Sequence, residues 1–213
     1  GSIYESKFYL GKNTSLNSVI ILGLDYWATK NIMKKVREPQ LEKMLKVKYF
    51  YSPIPAMKNA EPEIPIARFP KWYYCPECKR LGKIGAPFKV EREQVVCYKC
   101  KENSSNKRCL PAPLVVTCEN NEGESSYPLG HLDDFPWIEW AHSNENGEVQ
   151  ICSHPVLKLE SDKGSYSLSA LKVKCMGKEC IEANRPGRRL DGVLEEDALK
   201  GLIDCSGYRP WLL

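Results

Sequence analysis

Cys75-Pro-Glu-Cys78 and Cys97-Tyr-Lys-Cys100 place two pairs of thiols on either side of 18 intervening residues. Each two-residue gap lets one tight turn aim two sulfurs at a single point, and the stretch between is long enough for a hairpin that brings the second turn beside the first. That spacing is the pattern of a four-thiolate zinc ribbon. Disulfides are the competing use of paired cysteines, but a CxxC pair normally closes a redox-active bond, and nothing in the chain reads as secreted. Six cysteines remain: Cys109, Cys118, Cys152, Cys175, Cys180 and Cys205. Cys175 and Cys180 have a ligand spacing, and Cys152 and Cys205 would complete a second four-thiolate site by folding strands and a helix together. A competing set uses Cys118 with His131 or His142, since neutral imidazole is an equally good ligand. Cys109 reads most simply as a small core residue. The expected cofactor is Zn²⁺ at two structural sites.

Carboxylates gather in Gly130-His-Leu-Asp-Asp-Phe-Pro-Trp-Ile-Glu-Trp-Ala-His142. His131, Asp133, Asp134 and Glu139 are ingredients of a metal-dependent nuclease, in which carboxylates hold Mg²⁺ against a phosphate. Yet adjacent aspartates on a strand point to opposite faces, and no lysine follows within the segment. The structural reading is favoured: Asp133 or Asp134 caps a helix over Phe135 to Ala141, Pro136 sits in its first turn, and Trp137 and Trp140 pack on the core. His142 is then a core histidine or a ligand. No G-x4-G-K-[ST] string occurs, so ATP hydrolysis by that chemistry is excluded, and no nucleophile motif supports a Ser-His-Asp reading. The chain is expected to be non-catalytic.

Lys79, Arg80, Lys83 and Lys89 on the ribbon, with Arg185, Arg188 and Arg189 in a Pro-Gly loop, are the candidate contacts to nucleic acid. Trp72, Tyr73, Tyr74 and Tyr98 interleave with the ribbon charges, either as stacking platforms for bases or as packing beneath the metal turns. Net charge is +4, but it is sorted along the chain. Residues 1–70 carry 11 basic and 6 acidic side chains, residues 71–110 carry 10 and 4, and residues 117–160 carry 1 and 9. A basic ribbon beside an acidic segment can meet phosphate with one face and a protein with another.

The elements that must position these groups read as an α+β fold: a small mixed sheet with few helices and an inserted zinc ribbon. The 213 residues at 42% hydrophobic content suffice for one medium domain, or a small domain with metal-stapled modules. Three segments are expected: residues 1–70, an N-terminal α/β part with a Pro-rich connector; 71–110, the ribbon; and 111–213, a second zinc-stapled α+β part. Ser18 to Gly23 predicts a buried strand, Tyr26 to Val36 and Gln40 to Val47 predict helices interrupted by Pro39, and residues 52–70 predict an extended connector ordered by Ile54, Ile64 and Ile66. Strands are expected at Leu114–Val116, Val156–Leu159 and Leu171–Val173, and an amphipathic helix over Leu194–Ile203. No apolar run approaches 18 residues and no signal peptide opens the chain, which predicts a reducing cytoplasmic setting without membrane contact. Gly1-Ser2 without an initiator Met reads as the scar of a cleaved tag on an excised piece.

The runs Gly23-Leu-Asp-Tyr-Trp27, Arg68-Phe-Pro-Lys-Trp-Tyr-Tyr-Cys-Pro-Glu-Cys78, Gly130 to His142, and Gly207-Tyr-Arg-Pro-Trp-Leu212 resemble the DrmB family, helicase-associated proteins of DISARM-type anti-phage systems. Members are several times longer, so the resemblance is to their N-terminal part. It implies a non-ATPase component that works with a superfamily 2 helicase on foreign DNA. A protein-protein scaffold that never touches DNA, docking a partner through residues 117–160, is the leading alternative, and a nuclease the second. In that family a cysteine stands a few residues before Gly-His. Here Glu119 to Leu129 intervene, which counts against a metal shared by Cys118 and His131.

Overall fold

A computed structural model describes residues 8–9, 18–26, 33–53, 65–85, 87–91, 94–100, 108–118, 130–144, 146–162, 167–195 and 197–212. Ile54, Ile64, Trp27 and the insert 119–129 lie outside them. The class is α+β, mostly strands with three short α-helices among the described residues. The chain divides into two compact units: Gly1–Phe69 with Pro210–Leu213, and Pro70–Arg209. The ribbon and the segment after it share the second unit.

In the first unit, β1 (Phe8–Tyr9), β2 (Val19–Ile21), β3 (Met33–Val36), α1 (Pro39–Leu45), β4 (Phe50–Pro53) and β5 (Pro65–Arg68) follow in chain order. β5 is the middle strand of an antiparallel sheet ordered β1-β5-β2, with Ile66 fully buried, so the connector ends as core strand. Sequence periodicity predicted a helix through Val36, but Met33–Val36 is a strand paired antiparallel with β4. Cross-strand pairing supplies partners for β-branched and lysine-rich residues that a lone amphipathic turn would leave in water. Pro39 does not interrupt a helix; it opens α1, where its missing N–H is no loss. Arg37 and the Glu38 backbone N–H both hydrogen-bond Glu42, and that ion pair holds the Glu42 carboxyl below the usual range. Gly23 donates to Trp211 O at 2.8 Å, joining two of the segments that carry the family resemblance.

The second unit contains β6 (Trp72–Tyr74), β7 (Arg80–Lys83), β8 (Phe88–Glu91), β9 (Gln94–Cys97), β10 (Leu110–Pro111), β11 (Val115–Thr117), β12 (Leu132–Asp134), α2 (Trp137–His142), β13 (Leu157–Ser161), β14 (Leu171–Cys175), α3 (Lys178–Glu182) and β15 (Arg188–Arg189). Its main sheet is ordered β10-β6-β7-β13-β14-β15. Alternation puts Leu157 and Leu159 of β13, and Leu171, Val173 and Cys175 of β14, on the buried face. α2 packs on that face, with Trp137 fully buried and Trp140 nearly so, and Phe135 meets both indoles edge-on. Leu194–Ile203, expected as a helix, is instead a run of tight turns with bonds such as Glu195 N to Gly192 O and Leu202 N to Leu199 O. Gly192 and Gly201 at positive φ break helical continuation there. Among the described residues no helix is long and apolar enough to cross a membrane.

Candidate metal centres

The first cluster is built by two hairpins. β6 and β7 pair antiparallel, and the turn between them carries Cys75 and Cys78; β8 and β9 pair likewise, and the turn after them carries Cys97 and Cys100. Lys79 adopts the left-handed conformation and donates to Cys75 O, while Cys75 donates to Arg80 O, which closes the knuckle. Cys75 Sγ lies 3.6 Å from Cys100 Sγ, and Cys78 Sγ 3.8 Å from Cys97 Sγ. Sulfurs bound tetrahedrally to one ion by bonds of about 2.3 Å stand about 3.8 Å apart, so the separation is that of shared ligation. None of the ten cysteines forms a disulfide. Burial foremost, then the neighbouring Cys78 and Cys75 thiols, pushes the Cys100 thiol up to about 12. Cys109 packs beneath this cluster in the core with Phe88 and Val95.

The second cluster joins Cys152, Cys175 and Cys180 with His142. All four residues are buried. β14 ends on Cys175, α3 supplies Cys180, and the last residue of α2 is His142. Cys152 Sγ is 3.7 Å from Cys175 Sγ, and Cys180 Sγ is 3.4 Å from His142 Nε2. The imidazole donates from Nδ1 to Ile138 O at 2.7 Å, which leaves the Nε2 lone pair facing the thiols. Gly177 donates to Cys175 Sγ at 3.3 Å. A Cβ on Gly177 would stand 2.6 Å from His154 O and 3.1 Å from Cys152 Sγ, so glycine is required by the crowding around the ligands. Burial first, then the Cys152 and Cys175 thiols, pushes the Cys180 thiol up to about 12.

Sequence reasoning grouped Cys205 with Cys152, Cys175 and Cys180, and the structure places it elsewhere. Cys205 follows the turn run in an extended segment stitched to β12 by the bond from Leu132 N to Tyr208 O and by Ser206 Oγ donating to Asp133. It joins Cys118 and His131 in a third cluster, with His131 Nδ1 3.2 Å from Cys205 Sγ. The intervening Glu119–Leu129 does not keep Cys118 and His131 apart, because β11 pairs with β12 and Cys118 donates to His131 O. The hydrogen bond to Cys205, ahead of burial, raises the Cys118 thiol above its ordinary value. The available signal for His142 was a histidine at the end of an apolar helical face.

The expected cap is absent: α2 starts without a side-chain cap. Asp134 Oδ1 accepts from Lys71 N at 2.8 Å, and Asp133 accepts from Asp134 N and Ser206 Oγ. Among the described residues, no carboxylate belongs to any of the three clusters. The basic residues divide. Lys79, Lys83 and Lys89 are exposed; Arg80 is half-buried in β7, and Lys89 pairs with Glu91. Trp72 and Tyr73 are buried and offer no stacking surface, whereas Tyr98 is exposed and lines a groove of about 420 Å³ with Arg80 and Lys83. The arginine segment is no flexible loop. Arg185 binds Gln150 through its backbone oxygen at 2.6 Å and its side chain at 2.7 Å; Arg188 stacks 3.7 Å over the Trp140 ring and reaches Ser143; Arg189 pairs with Asp162. Arg188 and Arg189 form β15 itself.

The chain is 31% identical over 196 residues to the DISARM protein DrmB of Bacillus paralicheniformis (strain ATCC 9945a / NCIMB 11709 / CD-2). That alignment covers 91% of this chain and 30% of the relative, so the chain spans under a third of the curated protein it matches. The DrmB-like character read from its motifs is thus shown for a partial match rather than for a whole DrmB. With a family model matching every residue from 1 to 213, the chain belongs to the family described as domain of unknown function DUF8724.

Proposed function

We propose that this chain is a zinc-stapled, non-catalytic module of a DISARM-type defence protein, which contacts DNA and docks onto a helicase partner. The observation that carries this reading is the pairing of a DrmB-like sequence with two closed ligand sets, one of four thiols and one of three thiols and a buried imidazole. A closed four-ligand site leaves no position for substrate and stabilises a fold instead. Zinc suits both sets, because tetrahedral sulfur-rich coordination selects it without demanding redox chemistry.

The proposed DNA contact rests on a cavity of about 980 Å³ lined by Lys172, Arg185, Arg188 and Arg189 together with Glu148 and Asp191. Bonds to Gln150 and Trp140 hold two of the guanidiniums in place, which lowers the ordering cost of gripping phosphate. The groove of Arg80, Lys83 and Tyr98 offers a second contact with a stacking ring. The helicase partner is inferred from the kinship with DrmB.

Mobility shifts of the purified chain on single- and double-stranded DNA across a salt series test the reading. Affinity should fall with a log-log slope of about −0.9 per duplex phosphate neutralised, or about −0.7 on single strands. Replacing Lys172 and Arg189 by alanine should reduce that slope by about one to two contacts and weaken all sequences alike. No shift at low salt would favour the protein-scaffold function, and Mg²⁺-dependent nicking lost in Asp133→Asn would establish the nuclease instead.

A further inference from the structure

We infer that Cys118, His131 and Cys205 make a third metal site of a different kind, a three-ligand zinc site whose fourth position stays open to water and to exchangeable small anions. The inference goes beyond the module described above, which uses only the two closed clusters.

Three observations carry it. The ligand atoms of all three residues lie within 4.8 Å of one another, close enough to share one ion, and no fourth His, Cys, Asp or Glu among the described residues joins them. Two carboxylates line the same cavity, Asp133 and Asp204, and neither belongs to the ligand group; Asp133 Oδ1 accepts from Asp134 N at 2.8 Å, and its Oδ2 from Ser206 Oγ at 2.7 Å. The three residues also border a cavity of about 280 Å³, with Cys205 exposed and the other two half-buried, whereas every ligand of the second cluster is buried.

The backbone holds this set ready. Thr117 faces Leu132 in the β11–β12 pair, which puts Cys118 and His131 side by side at one end of the ladder. Leu132 N donates to Tyr208 O at 3.0 Å, which brings the segment carrying Cys205 alongside. Such a site needs no loop closure to assemble.

Charge distinguishes it from its neighbours. A zinc ion with four thiolates carries a net charge of about −2, and one with three thiolates and neutral imidazole about −1, whereas two thiolates and imidazole leave it near zero. An anion approaching the closed sets is repelled, while at the third it meets an uncompensated coordination position. Three protein ligands plus solvent is also the arrangement in which zinc retains Lewis acidity toward a fourth ligand.

Metal analysis and cobalt spectroscopy of the purified chain test this directly. Wild type should carry about three zinc ions per chain, and Cys205→Ser and His131→Ala about two, with the first two clusters still filled. In cobalt-substituted wild type, azide should shift the ligand-field bands by displacing water at the third ion. The same titration should leave the spectra of both variants unchanged. The wild-type titration needs no variant, so a substitution that fails to fold does not block the test. Two zinc ions in folded wild type would overturn the site, and three ions with a cobalt spectrum indifferent to azide would show it closed by another protein ligand.

Discussion

Asp134 shows how a single side chain answers to its surroundings rather than to its sequence neighbours. Placed before Phe-Pro-Trp, it reads as a helix cap; in the fold its carboxylate accepts from Lys71 N, just before β6. Burial, only partly offset by the Lys71 and Trp72 backbone N–H groups and the Lys83 charge, raises its pKa above the ordinary aspartate value; Asp133 adds to the rise. An acid whose folded pKa is raised loses stability as pH climbs from its unfolded value, near about 3.9, through the folded one. Ionised Asp134 is therefore a net cost at neutral pH. Asp134→Asn retains an acceptor for Lys71 and removes the buried charge. It should raise the melting temperature at pH 7, and the gain should shrink as pH falls through the raised folded pKa toward about 4, below which the wild-type group is neutral in both states. Thermal melts of both proteins across that range decide it: a variant less stable at pH 7 would mean that the charge-assisted bond outweighs desolvation. His142 makes the same point for metal chemistry, since its ring is fixed by a carbonyl one turn back and its free nitrogen then has one direction to face.

At the level of elements, α2 is a six-residue helix with no cap, too short to persist alone. It stands because Trp137, Trp140 and Ala141 bury against β13, β14 and β15, with the Trp140 indole donating to Arg189 O at 3.0 Å. Trp137→Ala should cost about 3–5 kcal/mol. The loss should also loosen the second cluster, because His142 is the last residue of the same helix. Denaturant unfolding with parallel zinc measurement checks both; a cost below about 1 kcal/mol would remove α2 from the core. β15 behaves likewise. Its two arginines and the preceding Arg185 read as an exposed loop in sequence, yet Arg188 stacks on Trp140, so replacing all three would disturb packing as well as charge. For that reason the DNA test uses Lys172 and Arg189.

For the whole molecule, zinc at the two closed clusters, as proposed, makes metal binding and folding one equilibrium. Structural zinc sites contribute about 10–16 kcal/mol, as much as the entire net stability of a typical domain, about 5–15 kcal/mol. Two closed clusters staple β6, β7, β9, β14, α2 and α3 within the unit Pro70–Arg209. Stripping metal with a strong chelator should abolish hydrogen-exchange protection in β13 and β14 and remove the cooperative melt of that unit. Restoring Zn²⁺ should bring both back. A metal-free protein that melts cooperatively at an unchanged temperature would show the thiol clusters to be incidental to folding.

How much of this was legible follows from which information is local. The two CxxC turns of the first cluster, the strand alternation of β13 and β14 and the buried tryptophans are carried by residues a few positions apart, and each appears in the structure; the DrmB resemblance is borne out by the sequence comparison. Short-range periodicity could not separate a helix from a strand at Met33–Val36, since the deciding partner, β4, lies more than ten residues on. Nor could it assign the second and third ligand sets. Cys118, Cys205, His131 and His142 are all valid ligands by type, and only the pairing of β11 with β12, the path of residues 203–208 and the register of α2 against β14 determine which stand within 4.8 Å of each other. The ten cysteines and their chemistry are properties of the sequence. The grouping of nine of them into one S₄ set, one S₃N set and one S₂N set was decided by tertiary structure, because thiols far apart in sequence come within reach of one ion only where strand pairing brings them together.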